Sequence, residues 1–248
     1  MIPLFTKVIL EVNSDCNRKC SFCNRHGDSK NRFFDENGKL VSKFMSLKHT
    51  ENIRQQLVDM KWNGDVFFGH MSEPTMDPRI VNIVASFAQH DWPITFHTNG
   101  DFLRKDALLS HELSRFVDRF VVGIYDVEGK SKQEIAQQQQ WWRNRLSPAN
   151  VIFSVATTRF ERRFSLDENK RSYPLYGCTA QTGNLVIYYD GEMALCCEDI
   201  NCEFDLGNVF ETSIEDIWQS PKHIHLVEKL KEKRLHHPIC AMCPIVPR

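Results

Sequence analysis

Between positions 24 and 177 the sequence has no cysteine, although it holds nine in 248 residues. The nine fall at 16, 20 and 23 and at 178, 196, 197, 202, 240 and 243. An odd number crowded into two clusters argues against a disulfide framework. Also missing is any run of the roughly 18–20 apolar residues that a membrane-spanning helix needs, so no membrane role is expected. Charge of one sign is lacking too: 31 basic residues face 32 acidic ones. No global field therefore recruits nucleic acid or a membrane surface. The segment Met1–Lys7 lacks a basic stretch followed by an apolar core and a small-residue cleavage site. The expected compartment is cytoplasmic, where thiols stay reduced and clustered cysteines read as metal-binding or catalytic.

What is present alternates. Lys7–Asn13, with β-branched Val8, Ile9 and Val12, reads as a first strand. Arg25–Lys43 is polar and turn-rich, an exposed excursion. Ser46 is placed to cap a helix from Leu47 to about Lys61. Asp65–Gly69, Pro93–Thr98, Phe120–Ile124 and Val151–Thr157 read as strands, and Arg79–His90, Leu103–Leu113 and Lys132–Leu146 as helices. The expected fold class is α/β: an open partial β/α barrel of about five parallel strands and four helices. Some 20 residues between the fifth strand and Cys178 leave no comfortable room for a sixth helix and strand. From there the texture changes. Asn184–Tyr189 and Glu192–Cys196 flank Asp190-Gly191, a hairpin signal. Ser213 is placed to cap a helix through Trp218, and Lys222–Lys233 reads as an amphipathic helix. The expected division is residues 1–158 for the barrel and 159–248 for a small C-terminal β-hairpin plus helix domain that binds a cluster.

Cys16, Cys20 and Cys23 lie in the run Cys-Asn-Arg-Lys-Cys-Ser-Phe-Cys, just past the first strand. A structural metal site takes four protein ligands, whereas three leave a position open. His26 follows at a spacing that also suits a Cys₃His zinc site, and the C-terminal cysteines suit a Cys₄ zinc site.

With Phe22 before the last cysteine, this loop resembles that of the radical S-adenosylmethionine (SAM) enzymes. Gly69-His-Met-Ser-Glu73-Pro74 is similar to their Gly-Gly-Glu-Pro segment, with Ser72 in place of a glycine. Thr98-Asn99-Gly100 is similar to their run near the SAM ribose. The resemblance implies that Cys16, Cys20 and Cys23 hold a [4Fe–4S] cluster whose open iron binds SAM. It implies that Phe22 packs near the adenine, that Glu73 takes the SAM ammonium, and that Ser72, Thr98, Asn99 and Gly100 line the cofactor. One electron then yields a 5′-deoxyadenosyl radical that abstracts hydrogen from a C–H bond.

Cys178, Gly191, Cys196 and Cys240-Ala-Met-Cys243, with Gly207-Asn208-Val209 and Ser213–Trp218, resemble the auxiliary-cluster extensions known as SPASM and twitch domains. The chain ends five residues after Cys243, so the shorter twitch form with one auxiliary [4Fe–4S] cluster is expected. Its ligands would be Cys178, Cys196, Cys240 and Cys243; Cys197 competes with Cys196, and Cys202 is unassigned. Four thiolates leave no open iron, which suits electron transfer.

Glu11-Val-Asn-Ser-Asp-Cys16-Asn-Arg, Thr98–Leu103, Glu198-Asp199, Gly207–Val209 and Asp216-Ile-Trp218 are similar to twitch-type aminocyclitol dehydrogenases of aminoglycoside biosynthesis. That implies oxidation of a secondary alcohol in a sugar- or aminocyclitol-like small molecule, with the auxiliary cluster taking up an electron. It also implies an external one-electron reductant such as flavodoxin or ferredoxin. A proton acceptor is required, and Arg159, Arg162 and Arg163 fall where the substrate-contacting segment of such enzymes lies. His70, His97, Tyr125 and Asp126 sit at strand ends, where core or surface roles are expected. Two other readings stay open: a radical SAM enzyme that epimerises or crosslinks a peptide, and a non-enzymatic zinc-binding interaction module. Since the first strand starts by about residue 7, no N-terminal peptide-recognition domain is expected.

Overall fold

The computed structural model describes residues 1–20, 23, 25, 31–155, 178, 180, 183–232 and 237–242. Phe22, His26, Arg159, Arg162, Arg163 and Cys243 lie outside the described residues.

Strand and helix alternate through the first part of the chain. The order is β1 (Lys7–Leu10), α1 (Leu47–Asp59), β2 (Asp65–Phe68), α2 (Ile80–Ala88), β3 (Ile94–Thr98), α3 (Asp101–Lys105), α4 (Ala107–Ser114), β4 (Arg119–Ile124), α5 (Lys132–Arg145) and β5 (Asn150–Val155). There follow β6 (Asn184–Ile187), β7 (Met193–Ala194), α6 (Ile214–Trp218), α7 (Pro221–Glu232) and α8 (Pro238–Met242). One open sheet runs β5-β4-β3-β2-β1-β6-β7. Neighbours are parallel throughout except β6 and β7.

Two expectations are corrected by this order. The barrel has six parallel strands, because the first strand of the expected hairpin pairs with β1, Lys7 opposite Asn184 and Leu10 opposite Ile187. The sheet therefore runs on from the barrel strands into the hairpin. The single helix expected over Leu103–Leu113 is two. Asp106 leaves the helical region and its carboxylate accepts from the Leu109 N–H, capping α4. A short acidic side chain competes for backbone donors inside a helix and favours the cap instead. The caps expected at Ser46 and Ser213 are present.

Alternation along each strand separates two cores. Val8, Leu10, Val66, Phe68, Ile94, Phe96, Phe120 and Val122 pack against Ile53 and Leu57 of α1 and Ile83, Val84 and Phe87 of α2. On the other face, Ile9, Val186 and Tyr188 pack with Phe33, Met71, Ile200 and Cys202. The buried residue of α5 is Trp142. Its ring lies under Gly100, where a Cβ would stand 2.6 Å from the indole and where φ is +80°. Glycine meets both demands. The same holds at the hairpin turn, where Gly191 has φ +86° and a Cβ would stand 2.4 Å from Asn208 Oδ1. Asn208 fixes that turn by donating to the Asp190 carbonyl at 2.9 Å.

Candidate functional site

All the loops that carry the motifs leave the C-terminal ends of β1, β2 and β3, where β/α folds assemble their sites. The cysteine loop follows β1. Side-chain and backbone hydrogen bonds hold it in place. Asn13 donates to the Glu73 carbonyl at 3.2 Å, and the Glu73 N–H donates to the Asp15 carbonyl at 2.7 Å. Arg18 donates to both carboxylate oxygens of Asp101, from Nε at 2.7 Å and Nη2 at 2.5 Å. Asn17 adds a 2.7 Å bond to the same carboxylate. Arg18 also reaches Asp126 at 3.2 Å and stacks over Tyr125. A two-pronged guanidinium–carboxylate bond fixes orientation as well as distance, so the loop is clamped to the ends of β3 and β4.

Two buried carboxylates organise the rim. Glu11, just past β1, accepts at Oε1 from three successive N–H groups, those of His70, Met71 and Ser72, and from the Ser72 hydroxyl. Consecutive amides around one anion form a nest. Ser72, which departs from the glycine of the resemblance, thus has a partner for its hydroxyl. Glu73 is 2 % exposed. Its Oε1 accepts from the Thr75 N–H and hydroxyl and from the Thr98 hydroxyl, and its Oε2 accepts from the Asn99 N–H at 2.7 Å. This carboxylate, the one expected to meet the SAM ammonium, is held in place by donors from β3 and its own turn. Burial pushes its pKa up, and those hydrogen bonds pull it back.

Asn99 links this brace to the cysteines. Its side-chain amide donates to Asn17 Oδ1 at 2.9 Å and approaches Cys16 Sγ at 3.8 Å. Cys16, Glu73, Thr98, Asn99 and Gly100 are therefore brought together, and Ser72 joins them through Glu11. Burial pushes the Cys16 thiol up to about 11, opposed by the Arg18 N–H and the Arg25 charge. Cys20 is raised by burial and by Cys23. These groups are thiols at neutral pH, so taking up a metal as thiolates releases protons.

Beyond β5 the cysteines divide. Cys178, Cys196 and Cys240 pack against the main apolar core. Cys202 belongs to the inner-face core. It accepts from Arg32 Nη1, and burial pushes its thiol up to about 12. Arg32 itself donates to both oxygens of Asp190 at 2.6 Å and lies 4.3 Å from the Tyr188 ring centre. His70 Nε2 lies 2.7 Å from the Cys197 carbonyl. These contacts tie the chain after the cysteine loop to the hairpin. Among the described residues no three His, Cys, Asp or Glu converge on a single metal ion. Thiolates that bind different irons of one cluster span a wider triangle than ligands of one zinc ion. The donor set fits iron–sulfur clusters: spaced cysteines in partly apolar surroundings, with cationic groups nearby.

His97 and Tyr125 lie 3.4 Å apart, from Nε2 to Oη, at the ends of β3 and β4. A separate cleft of about 530 Å³ opens at the opposite end of the sheet, by Trp92, Pro93 and Pro148, and has no cysteine in its lining. Among the described residues no helix is long and apolar enough to cross a membrane. Sequence reasoning missed the work of Glu11, Arg18, Arg25, Arg32 and Asp101. The signal for Glu11 was an acidic residue ending an apolar strand; the others have no local signal.

The sequence model described as the Radical SAM superfamily matches residues 10–146, more than half of the chain. The chain belongs to that superfamily: it is a radical SAM enzyme, with S-adenosylmethionine and [4Fe–4S] clusters as its cofactors. A second model, SPASM, an iron-sulfur cluster-binding domain, matches residues 178–244. The chain is 26 % identical over 262 residues to the S-adenosyl-L-methionine-dependent 2-deoxy-scyllo-inosamine dehydrogenase of Niallia circulans, covering 98 % of this chain and 94 % of the relative. In fold it is similar to the crystal structure of BtrN in complex with AdoMet and 2-DOIA. That TM-score is 0.72 at 24 % identity, over 94 % of this chain and 89 % of the other. Against BtrN in an open conformation the TM-score is 0.69 at 22 % identity, over 98 % and 94 %.

Proposed function

We propose that the protein oxidises a secondary alcohol of a sugar- or aminocyclitol-like small molecule. The observation that carries this reading is 26 % identity to a dehydrogenase along 98 % of the chain. In this reading Cys16, Cys20 and Cys23 hold one [4Fe–4S] cluster, and Cys178, Cys196, Cys240 and Cys243 hold the other. Ser72, Thr98, Asn99, Gly100 and Phe22 border the SAM pocket. When bound, these cofactors supply hydrogen-atom abstraction from a C–H bond and an acceptor for the electron left on the substrate.

The chain's own residues do the rest. Glu73 and Glu11 hold the loops after β2 and β3 in place, so the site needs no reorganisation when substrate arrives. Arg18 and Asp101 fix the cysteine loop over β3 and β4. Removing the hydroxyl proton requires a base, and Arg159, Arg162 and Arg163 are the candidates for that role or for contacts to the substrate. An external one-electron reductant of the flavodoxin or ferredoxin kind feeds the first cluster. The residues 1–158 act as the barrel unit, which β6 completes, and the rest of 159–248 as the auxiliary-cluster unit.

Anaerobically reconstituted protein given dithionite, SAM and ring-deuterated aminocyclitols tests this. Deuterium is expected in 5′-deoxyadenosine, with a ketone product. SAM cleavage with deuterium drawn from a peptide and from none of the cyclitols overturns it.

A further inference from the structure

Two arginines lie in the stretch just after the cysteine loop, and among the described residues only one has its counter-charge. Arg32 is paired with Asp190. Arg25 is 1 % exposed, two residues past Cys23, and its Nε and Nη1 are buried with no hydrogen-bond partner among the described residues. Its guanidinium lies 5.0 Å from the Phe33 ring centre, and its carbonyl accepts from the buried Asn31 amide at 2.9 Å. The side chain is therefore fixed in place and not left to swing into solvent. A buried cation with orphan donors costs several kcal/mol unless an anion answers it.

We propose that Arg25 is an anion-holding residue of this site, donating from Nε and Nη1 to the iron–sulfur cluster carried by Cys16, Cys20 and Cys23. The inference rests on the reading of those three cysteines as cluster ligands. Hydrogen bonds and positive charge beside a cluster favour its reduced, more negative form and so raise its reduction potential. The shared chemistry is an anionic acceptor in a buried site. Two sources offer it: the sulfur of the cluster and the carboxylate of SAM.

Potentiometric EPR titration of the anaerobically reconstituted protein, without and then with SAM, separates them. Iron counting on Cys20→Ala first tests the ligand reading alone, because iron content unchanged there overturns that reading whatever Arg25 does. In Arg25→Gln without SAM, the reduced-to-oxidised ratio of this cluster at a fixed potential is expected to fall at least tenfold, about 59 mV for one electron. Arg25→Lys is expected to recover part of that loss. An unchanged ratio in fully loaded Arg25→Gln overturns the proposal. So does an unchanged ratio accompanied by tenfold weaker SAM binding, which assigns the anion to SAM. Should Arg25→Gln fail to take up iron, pulsed EPR of the reduced wild-type protein carrying ¹⁵N-arginine decides the matter. A ¹⁵N coupling that Arg25→Lys removes supports the proposal, and its absence overturns it.

Discussion

Over β1, β2 and β3 the chain supplies every restraint itself: Glu11 gathers three backbone amides, Glu73 joins the β2 and β3 loops, and Arg18 clamps the cysteine loop to Asp101. Beyond β5 the arrangement is different. Cys178, Cys196 and Cys240 come from a loop, a post-hairpin turn and a short helix, and what they share is contact with the apolar core. The first region is held by hydrogen bonds among its own side chains and backbone. In the proposed reading the second draws its ligands from separate elements, so a metal there would also be a cross-link, with binding coupled to folding.

The sharpest way to break this contrast is to remove one cluster at a time. Cys196→Ser is expected to lower iron from about eight to about four per chain and to speed amide hydrogen exchange in α8 (Pro238–Met242). Cys16→Ser is expected to lose as much iron while leaving exchange over β1–β3 unchanged. Cys202→Ser should keep full iron, because its thiol is engaged by Arg32. Loss of iron in Cys202→Ser would redraw the ligand set.

Next in size is the brace. Glu73→Ala strands donors of Thr75, Thr98 and Asn99 in a buried site, each worth about 1–3 kcal/mol when left unmade. Urea unfolding of the metal-free protein should show a loss of about 4 kcal/mol, and a loss below about 1 kcal/mol would mean that the rim is not self-supporting. Arg32→Met removes the two-pronged bond to Asp190 and the stacking on Tyr188. Asp190 is 38 % exposed, so the cost is smaller, about 2 kcal/mol.

The smallest effect belongs to Asp101→Asn, about 0.5–1 kcal/mol at neutral pH. Hydrogen bonding from Arg18 holds the Asp101 carboxyl below its ordinary range. Its contribution is present above the unfolded-state value of about 3.9 and is lost as pH falls through the lower folded value. Wild type and Asp101→Asn should therefore differ at pH 7 and converge in strong acid. A constant difference across that window would place the effect elsewhere.

Much of this was legible in the residue order. Ile94, Phe96 and Thr98 mark β3 by their composition, and Ser46 and Ser213 mark helix starts by local chemistry. Local patterns say which residues form a strand, not which strand they join. That is why Asn184–Ile187 read as half of a hairpin and not also as the neighbour of β1. The partners of Arg18 and Arg32 lie 83 and 158 residues away, beyond any pattern in the sequence. Glu73 was found by its motif, but the direction of its carboxylate is a product of how β2 and β3 pack.

The place of β1 between β2 and β6 also sets an order of events at the ribosome. Residues 7–10 are made well before 184–187, which complete their ladder. Until then one edge of β1 presents open amides and carbonyls, a template for pairing with other chains. Pairings of such long sequence separation form slowly, and half-finished sheets are the species that aggregate. A nascent chain stalled short of residue 184 should therefore be a client for chaperones, and a fragment cut there should be prone to self-association.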